Sequence, residues 1–126
     1  MAIHKVIEFS CTASRLWEVV GTPDRVDWVP GVERCEYDGK VRSLSLPGAG
    51  KIREEILSHD DGTMTMSYSC IESLAPLEKH LASIKILDHD GGCQMHWQTE
   101  VEPFAFESFI EDSMDGAIQQ LHRLLD

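Results

Sequence analysis

Glu54 is the residue whose setting in the sequence points most directly to chemistry. It alternates with Ile52 and Ile56, so a strand here would place its carboxylate on an otherwise apolar face. A buried carboxylate is costly unless it meets a cation, water or a ligand. Glu54 could therefore hold a polar ligand group or act as a general base. The structural alternative is an ion pair with Arg42 or Arg53.

His80 and Tyr68 are the next candidates, because each shares an alternating face with apolar residues. His80 lies on the face of Ala82 and Ile84, where it could donate a hydrogen bond or shuttle a proton. A histidine in this setting is also commonly satisfied by core partners. Tyr68 shares its face with Met66 and could offer a hydroxyl to a ligand, or fill the core.

Six further side chains are predicted to line a binding cavity. Large aromatic residues and methionines form adaptable apolar walls, and an arginine can bind a carboxylate or an anionic headgroup. The structural alternative is ordinary packing for the apolar and aromatic side chains and a salt bridge for the arginine. The six are Trp28, Arg42, Met66, Trp97, Met114 and Ile118.

No established catalytic or metal-binding motif is found in the sequence. The His59-Asp60-Asp61 and His89-Asp90 segments fall in predicted turns and lack the spacing of metal ligands. There is no nucleophile elbow, phosphate-binding loop, dinucleotide fingerprint or zinc-protease motif. We therefore expect neither a metal ion nor a cofactor, and we leave open whether the protein is an enzyme.

The first third of the chain is predicted to hold one strand and two short helices. Residues 3–9 alternate as a strand does. Thr12 can cap a helix over 13–20 that Gly21 closes. A second helix is predicted over 22–28, because Thr22-Pro23-Asp24 supplies a capping hydroxyl, a proline for the first turn and an acidic residue.

The remainder is predicted to form hairpin strands followed by one long helix. The strands are expected at 33–37, 41–46, 51–59, 63–71, 78–87 and 93–101, separated by turns rich in aspartate and glycine. After Pro103, apolar residues recur every three or four positions from Phe106 to Leu125. This order predicts a single α+β domain over residues 1–126, with a curved antiparallel sheet of about six to seven strands around the C-terminal helix.

The order of these elements, together with several short motifs, resembles the START-like helix-grip superfamily. Within it, the sequence is most similar to the polyketide cyclase/dehydrase and lipid-transport group, and the resemblance covers the whole chain. Such proteins enclose a cavity between the sheet and the last helix, and the superfamily includes carriers, receptors, cyclases and dehydratases. The motifs are Arg15-Leu16-Trp17-Glu18-Val19-Val20, Trp28-Val29-Pro30-Gly31-Val32, Glu54-Glu55-Ile56-Leu57, Tyr68-Ser69-Cys70-Ile71, and Gly91-Gly92 followed by Trp97.

Plant abscisic acid receptors are a more distant resemblance. Their mobile gate loop is similar to Ser45-Leu46-Pro47-Gly48-Ala49, and their second mobile loop corresponds to residues 72–76. The resemblance implies that Glu54, Tyr68 and His80 face the cavity. The second loop lacks the receptors' characteristic residues, so hormone binding is not implied. Whether the segment 46–50 gates a cavity stays open.

Charge and length limit the partners. The 126 residues include 22 acidic and 11 basic side chains, which give a net charge of −11. Such a balance argues against nucleic acid as a partner. The N-terminus lacks a signal-peptide pattern, and no apolar run approaches the ~20 residues of a membrane span, so we expect a cytoplasmic protein with no membrane insertion. The four widely spaced cysteines are expected to be buried free thiols.

Two functions remain after these exclusions, and a third is a further alternative. The first is binding of a small apolar or amphipathic molecule, such as a lipid or polyketide, in a cavity that a short chain should keep modest. The second is a cyclase or dehydratase that uses Glu54 and His80 as acid/base groups. A protein-interaction module without a ligand is the third. An open sheet edge or the last helix could also support a homodimer.

Overall fold

In the computed structural model, residues 2–46 and 50–125 are described, and their seven strands form one antiparallel sheet. The order across the sheet is β1-β7-β6-β5-β4-β3-β2. The first and last strands of the chain are therefore neighbours, and the hairpins follow one another outward from them. The strands are β1 Ala2–Phe9, β2 Arg34–Tyr37, β3 Val41–Leu46, β4 Gly50–Asp60, β5 Thr65–Glu72, β6 Lys79–His89 and β7 Gly92–Glu102.

Alternation in the sequence accounts for the inner face of this sheet. In β5, Met66 and Tyr68 are buried, and in β6 Ala82, Ile84 and Ile86 are buried while their neighbours are exposed. Period-two burial is what one covered face of a sheet requires. The predicted turn at 38–39 also forms, since the Asp38 carboxylate accepts hydrogen bonds from the backbone N–H groups of Lys40 and Val41 at 2.9 and 2.7 Å.

The first helix, α1 (Ala13–Val20), begins and ends as its sequence predicts. The Thr12 hydroxyl accepts a hydrogen bond from the Arg15 N–H at 3.2 Å, and the Gly21 N–H donates to the Trp17 carbonyl at 2.8 Å. The helix packs against β6 and β7. Its indole at Trp17 donates to the Asp61 carboxylate at 2.8 Å, which ties the helix to the turn between β4 and β5.

The predicted second helix over 22–28 is wrong. These residues form two successive turns, in which the Arg25 N–H donates to the Thr22 carbonyl and the Val29 N–H donates to the Val26 carbonyl. No helix begins at Thr22, and its hydroxyl instead donates to the Glu18 carbonyl of α1 at 2.7 Å. The turns also let Trp28 bury its ring almost completely.

The long helix α2 (Glu107–Leu125) follows a short 3₁₀ turn over Phe104–Phe106. It packs against β1 and β7, and the Lys5 ammonium binds the Glu111 and Asp115 carboxylates at 2.7 and 3.2 Å. The sheet and this helix confirm the α+β helix-grip fold. No helix in the described residues is long and apolar enough to cross a membrane.

Two glycines of the helical segments are expected to respond oppositely to alanine. A Cβ at Gly21 would lie 2.4 Å from Trp17 Cδ2, on a ring that its bond to Asp61 holds in place, whereas a Cβ at Gly116 would lie 3.7 Å from Pro30 Cγ. We expect Gly21→Ala to lower the free energy of unfolding by about 1–3 kcal/mol through overpacking. Gly116→Ala should raise it by about 0.5–1 kcal/mol, because alanine favours the helix. Urea unfolding of both variants checks this, and equal effects would contradict it.

Candidate functional site

A cavity of about 1000 Å³ lies between α2 and the inner face of the sheet. Its walls come from β3 to β7, from α2 between Phe109 and Ala117, and from the connecting segments 28–31 and 73–77. The prediction of a modest cavity is therefore wrong, since this volume is at the upper end for small-molecule sites. The physical reason is that α2 packs on the β1 and β7 side, so side chains of β3, β4 and β5 meet no helix across part of the inner face.

The most buried charge in the cavity wall belongs to Arg42, whose side chain is 3% exposed. Adjacent strands pair Arg42 with Glu54, and the Arg42 Nε donates to Glu54 Oε1 at 2.8 Å. The other cation considered for Glu54, Arg53, lies instead near Glu72 at 3.9 Å. The structural alternative for Glu54 is thus the arrangement that forms.

Two more groups surround the Arg42 guanidinium. Its Nη1 donates to the Pro23 carbonyl at 3.2 Å, and its Cζ lies 4.8 Å from the centre of the Tyr68 ring. Burial acts to lower the pKa of Arg42, but the Glu54 carboxylate, together with Tyr68 and Cys35, outweighs it, so the pKa of the guanidinium is raised. The charge is therefore permanent and locally compensated, and Arg42 offers no free cation to an anionic ligand.

Aromatic residues form the wall next to this ion pair. The Trp97 Nε1 donates to the Tyr68 hydroxyl oxygen at 3.2 Å, and the Trp28 and Trp97 rings meet edge to face at 5.7 Å. Burial, reinforced by the Glu54 charge, raises the pKa of Tyr68 well above its ordinary value. The phenol therefore stays protonated and available as a hydrogen-bond donor.

His80 lies where β5 and β6 separate. The two strands pair only over 65–68 and 82–85, and beyond that point the Cys70 N–H donates to His80 Nδ1 at 2.9 Å. The imidazole thus replaces a backbone acceptor. Burial lowers the pKa of His80 in spite of the opposing influence of Glu54, so the ring is neutral near pH 7.

Seven of the nine predicted ligand-contacting residues line the cavity. They are Trp28, Arg42, Glu54, Tyr68, His80, Trp97 and Met114. Met66 and Ile118 are not among the described residues that line the cavity. Met66 faces inward but sits two residues from Tyr68, in the packed core, where it is 1% exposed. Ile118 packs against the same core, beyond Ala117, which is the last α2 residue in the cavity wall.

Several lining residues were not singled out from the sequence. Cys70 and Thr99 line the cavity, and both continue alternating faces that contain Tyr68 and Trp97, so the signal was present. Leu74 lines its mouth from a connecting segment with no periodicity, and only the tertiary structure places it there. The gate-loop prediction falls largely on 47–49, which lie outside the described residues.

Metal and disulfide chemistry find no support in the described part of the chain. No group of three or more histidine, cysteine or acidic side chains there could hold a metal ion. The four cysteines form no disulfide, as predicted, although only Cys93 is fully buried and the other three are half-buried.

Comparison with known proteins gives a family match over nearly the whole chain. The family model described as polyketide cyclase / dehydrase and lipid transport matches residues 2–126. No curated protein matches. An uncharacterised protein of Bacillus thuringiensis has a similar structure, with 16% identity, a TM-score of 0.88 and 98% of each chain covered.

Two other solved structures show the same fold. The protein XoxI of Bacillus cereus is 18% identical with a TM-score of 0.88, covering 98% of this chain and 94% of its own. A START superfamily protein of Mycobacterium smegmatis is 11% identical with a TM-score of 0.81, covering 98% of this chain and 96% of its own. Identities this low establish the fold and leave the ligand open.

Removing the carboxylate of Glu54 should destabilise the protein. Glu54→Gln leaves the buried Arg42 cation without its counter-charge, and we expect the free energy of unfolding to fall by about 3 kcal/mol. Glu55→Gln, on the same strand and with its side chain half-buried, is the matched control and should cost less than about 0.5 kcal/mol. Denaturant unfolding at neutral pH compares them, and equal stability of the two variants would contradict the prediction.

Acidification should remove the contribution that neutral His80 makes to folding stability. Folding lowers the pKa of His80 below the 6.5 of an unfolded histidine, so the unfolded chain takes up this proton first as the pH falls. The contribution of neutral His80 to the free energy of unfolding is therefore complete above pH 6.5. It decreases as the pH falls from 6.5 toward the lower pKa of the folded state. In His80→Asn the amide oxygen can still accept from the Cys70 N–H, but the titrating group is gone.

Unfolding free energies of wild type and His80→Asn between about pH 8 and about pH 5 test this prediction. The stability advantage of wild type over the variant should shrink as the pH falls. A constant difference across the range would show that His80 does not titrate as proposed.

Proposed function

Since the chain belongs to the polyketide cyclase/dehydrase and lipid transport family, we propose that it binds a small, uncharged, apolar or amphipathic molecule in the cavity between the sheet and α2. The observation that carries the proposal is the cavity of about 1000 Å³ with a largely apolar lining. Pockets of this kind bury most of a small ligand and use a few polar groups to orient it.

The charges of the cavity favour an uncharged ligand. Arg42 is neutralised by Glu54 at 2.8 Å, and Asp112 adds a second carboxylate at the exposed edge of the wall. An anionic ligand would therefore meet two carboxylates and no unpaired cation among the described lining residues. A lipid or polyketide with its charge absent or outside the cavity satisfies this constraint.

Two exposed apolar side chains mark a route of entry. Leu74 is 74% exposed and Phe109 is 57% exposed, and both line the cavity. They belong to different elements, the segment after β5 and the first turns of α2. An apolar rim lets a poorly soluble molecule leave water before it is fully enclosed.

The cyclase or dehydratase alternative has less support from the same geometry. A general base needs an accessible lone pair within reach of the substrate. One Glu54 oxygen is bound by Arg42, and His80 Nδ1 is occupied by the Cys70 N–H. A binding function without catalysis does not require either group to be free.

A cytoplasmic location suits a chain with four cysteines and no disulfide among its described residues.

Filling the cavity from α2 should weaken binding. Gly116 lines the cavity opposite Pro30, so a Phe side chain at this position would project into the space that a ligand needs. We expect Gly116→Phe to weaken binding of the neutral fluorescent probe N-phenyl-1-naphthylamine by at least about tenfold. Gly116→Ala is the control and should bind as wild type does.

Fluorescence titration measures the two affinities, and native mass spectrometry of wild type detects any ligand retained through purification. Circular dichroism confirms that each variant is folded. Unchanged probe binding by a folded Gly116→Phe protein would contradict the proposal, since the cavity would then not be the binding site.

A further inference from the structure

His80 presents a hydrogen-bond donor that the protein does not use. The Cys70 backbone N–H can only donate, so His80 Nδ1, at 2.9 Å from it, must be the unprotonated nitrogen. A neutral imidazole then carries its hydrogen on Nε2. Nε2 has no hydrogen-bond partner in the described part of the chain, and it is not a fully buried atom. Since His80 lines the cavity, a hydrogen bond from Nε2 is available to a ligand there.

Tyr68 presents a second unused donor by the same reasoning. The Trp97 indole N–H can only donate, so the Tyr68 oxygen accepts at 3.2 Å and keeps its own hydrogen. That hydrogen has no acceptor among the described residues. Glu54 influences both Tyr68 and His80 electrostatically, but its hydrogen bond is with Arg42.

The rings that carry these two donors are neighbours in the cavity wall. The Tyr68 and His80 ring centres are 6.1 Å apart, on adjacent strands at the point where those strands separate. We propose that Tyr68 and His80 together recognise a carbonyl oxygen of the bound molecule, so that the ligand is an uncharged, largely apolar ketone, ester or lactone. The inference rests on the proposed binding function and adds the chemical class of the ligand.

A carbonyl oxygen suits this pair better than other polar groups do. It has two lone pairs and no hydrogen, so it accepts from both donors without leaving a donor of its own unpaired. A carboxylate would also accept twice, but it would meet Glu54 and Asp112. An ammonium or amide N–H would face the two donors and gain nothing from them. The lone pairs of a carbonyl therefore complement what the wall offers.

A pair of probes that differ only in the carbonyl tests the inference. Prodan is a neutral naphthyl ketone whose emission shifts to the red when its carbonyl accepts hydrogen bonds, and its propyl analogue has a methylene in place of the carbonyl. Two hydrogen bonds of ordinary strength predict that wild type binds prodan tighter than the analogue by on the order of tenfold. Bound prodan should also show the red shift.

Two variants remove the donors one at a time. His80→Asn keeps an acceptor for the Cys70 N–H, but its shorter amide places no N–H at the position of His80 Nε2, and Tyr68→Phe removes the hydroxyl. Each should reduce the preference for prodan by about threefold or more. Met114→Leu is the matched control, because it changes the cavity lining and leaves both donors; it should shift both affinities alike.

The outcomes separate this inference from the proposed function. Equal affinity of wild type for both probes, with no red shift, would overturn the carbonyl site and leave the binding function standing. A preference that survives in both variants would likewise overturn the assignment to Tyr68 and His80. Failure of both probes to bind would overturn the binding function and the inference with it.

Discussion

The buried guanidinium of Arg42 is the constraint on which the cavity depends. An arginine cannot shed its charge in a protein, so burying it to 3% exposure requires a counter-charge and further acceptors. Glu54 on the next strand supplies the charge, and the Pro23 carbonyl and the Tyr68 ring complete the surroundings. The pair thereby links β3 and β4 to the turns after α1, and it makes this part of the cavity wall polar without adding net charge.

The position of α2 turns this wall into a site. The helix packs against β1 and β7, where Lys5 binds two of its carboxylates, and it leaves part of the inner face of β3 to β5 without a partner. A core filled evenly would have no such space, because protein interiors are close-packed. The early separation of β5 from β6 contributes to the site as well, since it leaves the Cys70 backbone N–H free to donate a hydrogen bond to His80.

Sequence patterns predicted the elements better than they predicted the site. Alternation predicted the strand bounds to within a few residues, and it placed Tyr68, His80 and Glu54 on the inner face, where they lie. The helix predicted from Thr22 does not form: the Thr22 hydroxyl donates back to the Glu18 carbonyl of α1, and the segment makes two separate turns. Periodicity also could not separate Met66 from Tyr68, which share a face but differ in their position along the strand.

The sequence by itself determined which side chains face inward, the helix-grip order of elements and the acidic exterior, because these follow from local periodicity and composition. Only the tertiary structure decided what those side chains do. The choice of Arg42 over Arg53 as the partner of Glu54, and the tautomer of His80, depend on strand register and on where two strands part. Register and separation join residues distant in the chain, and no local pattern specifies such contacts.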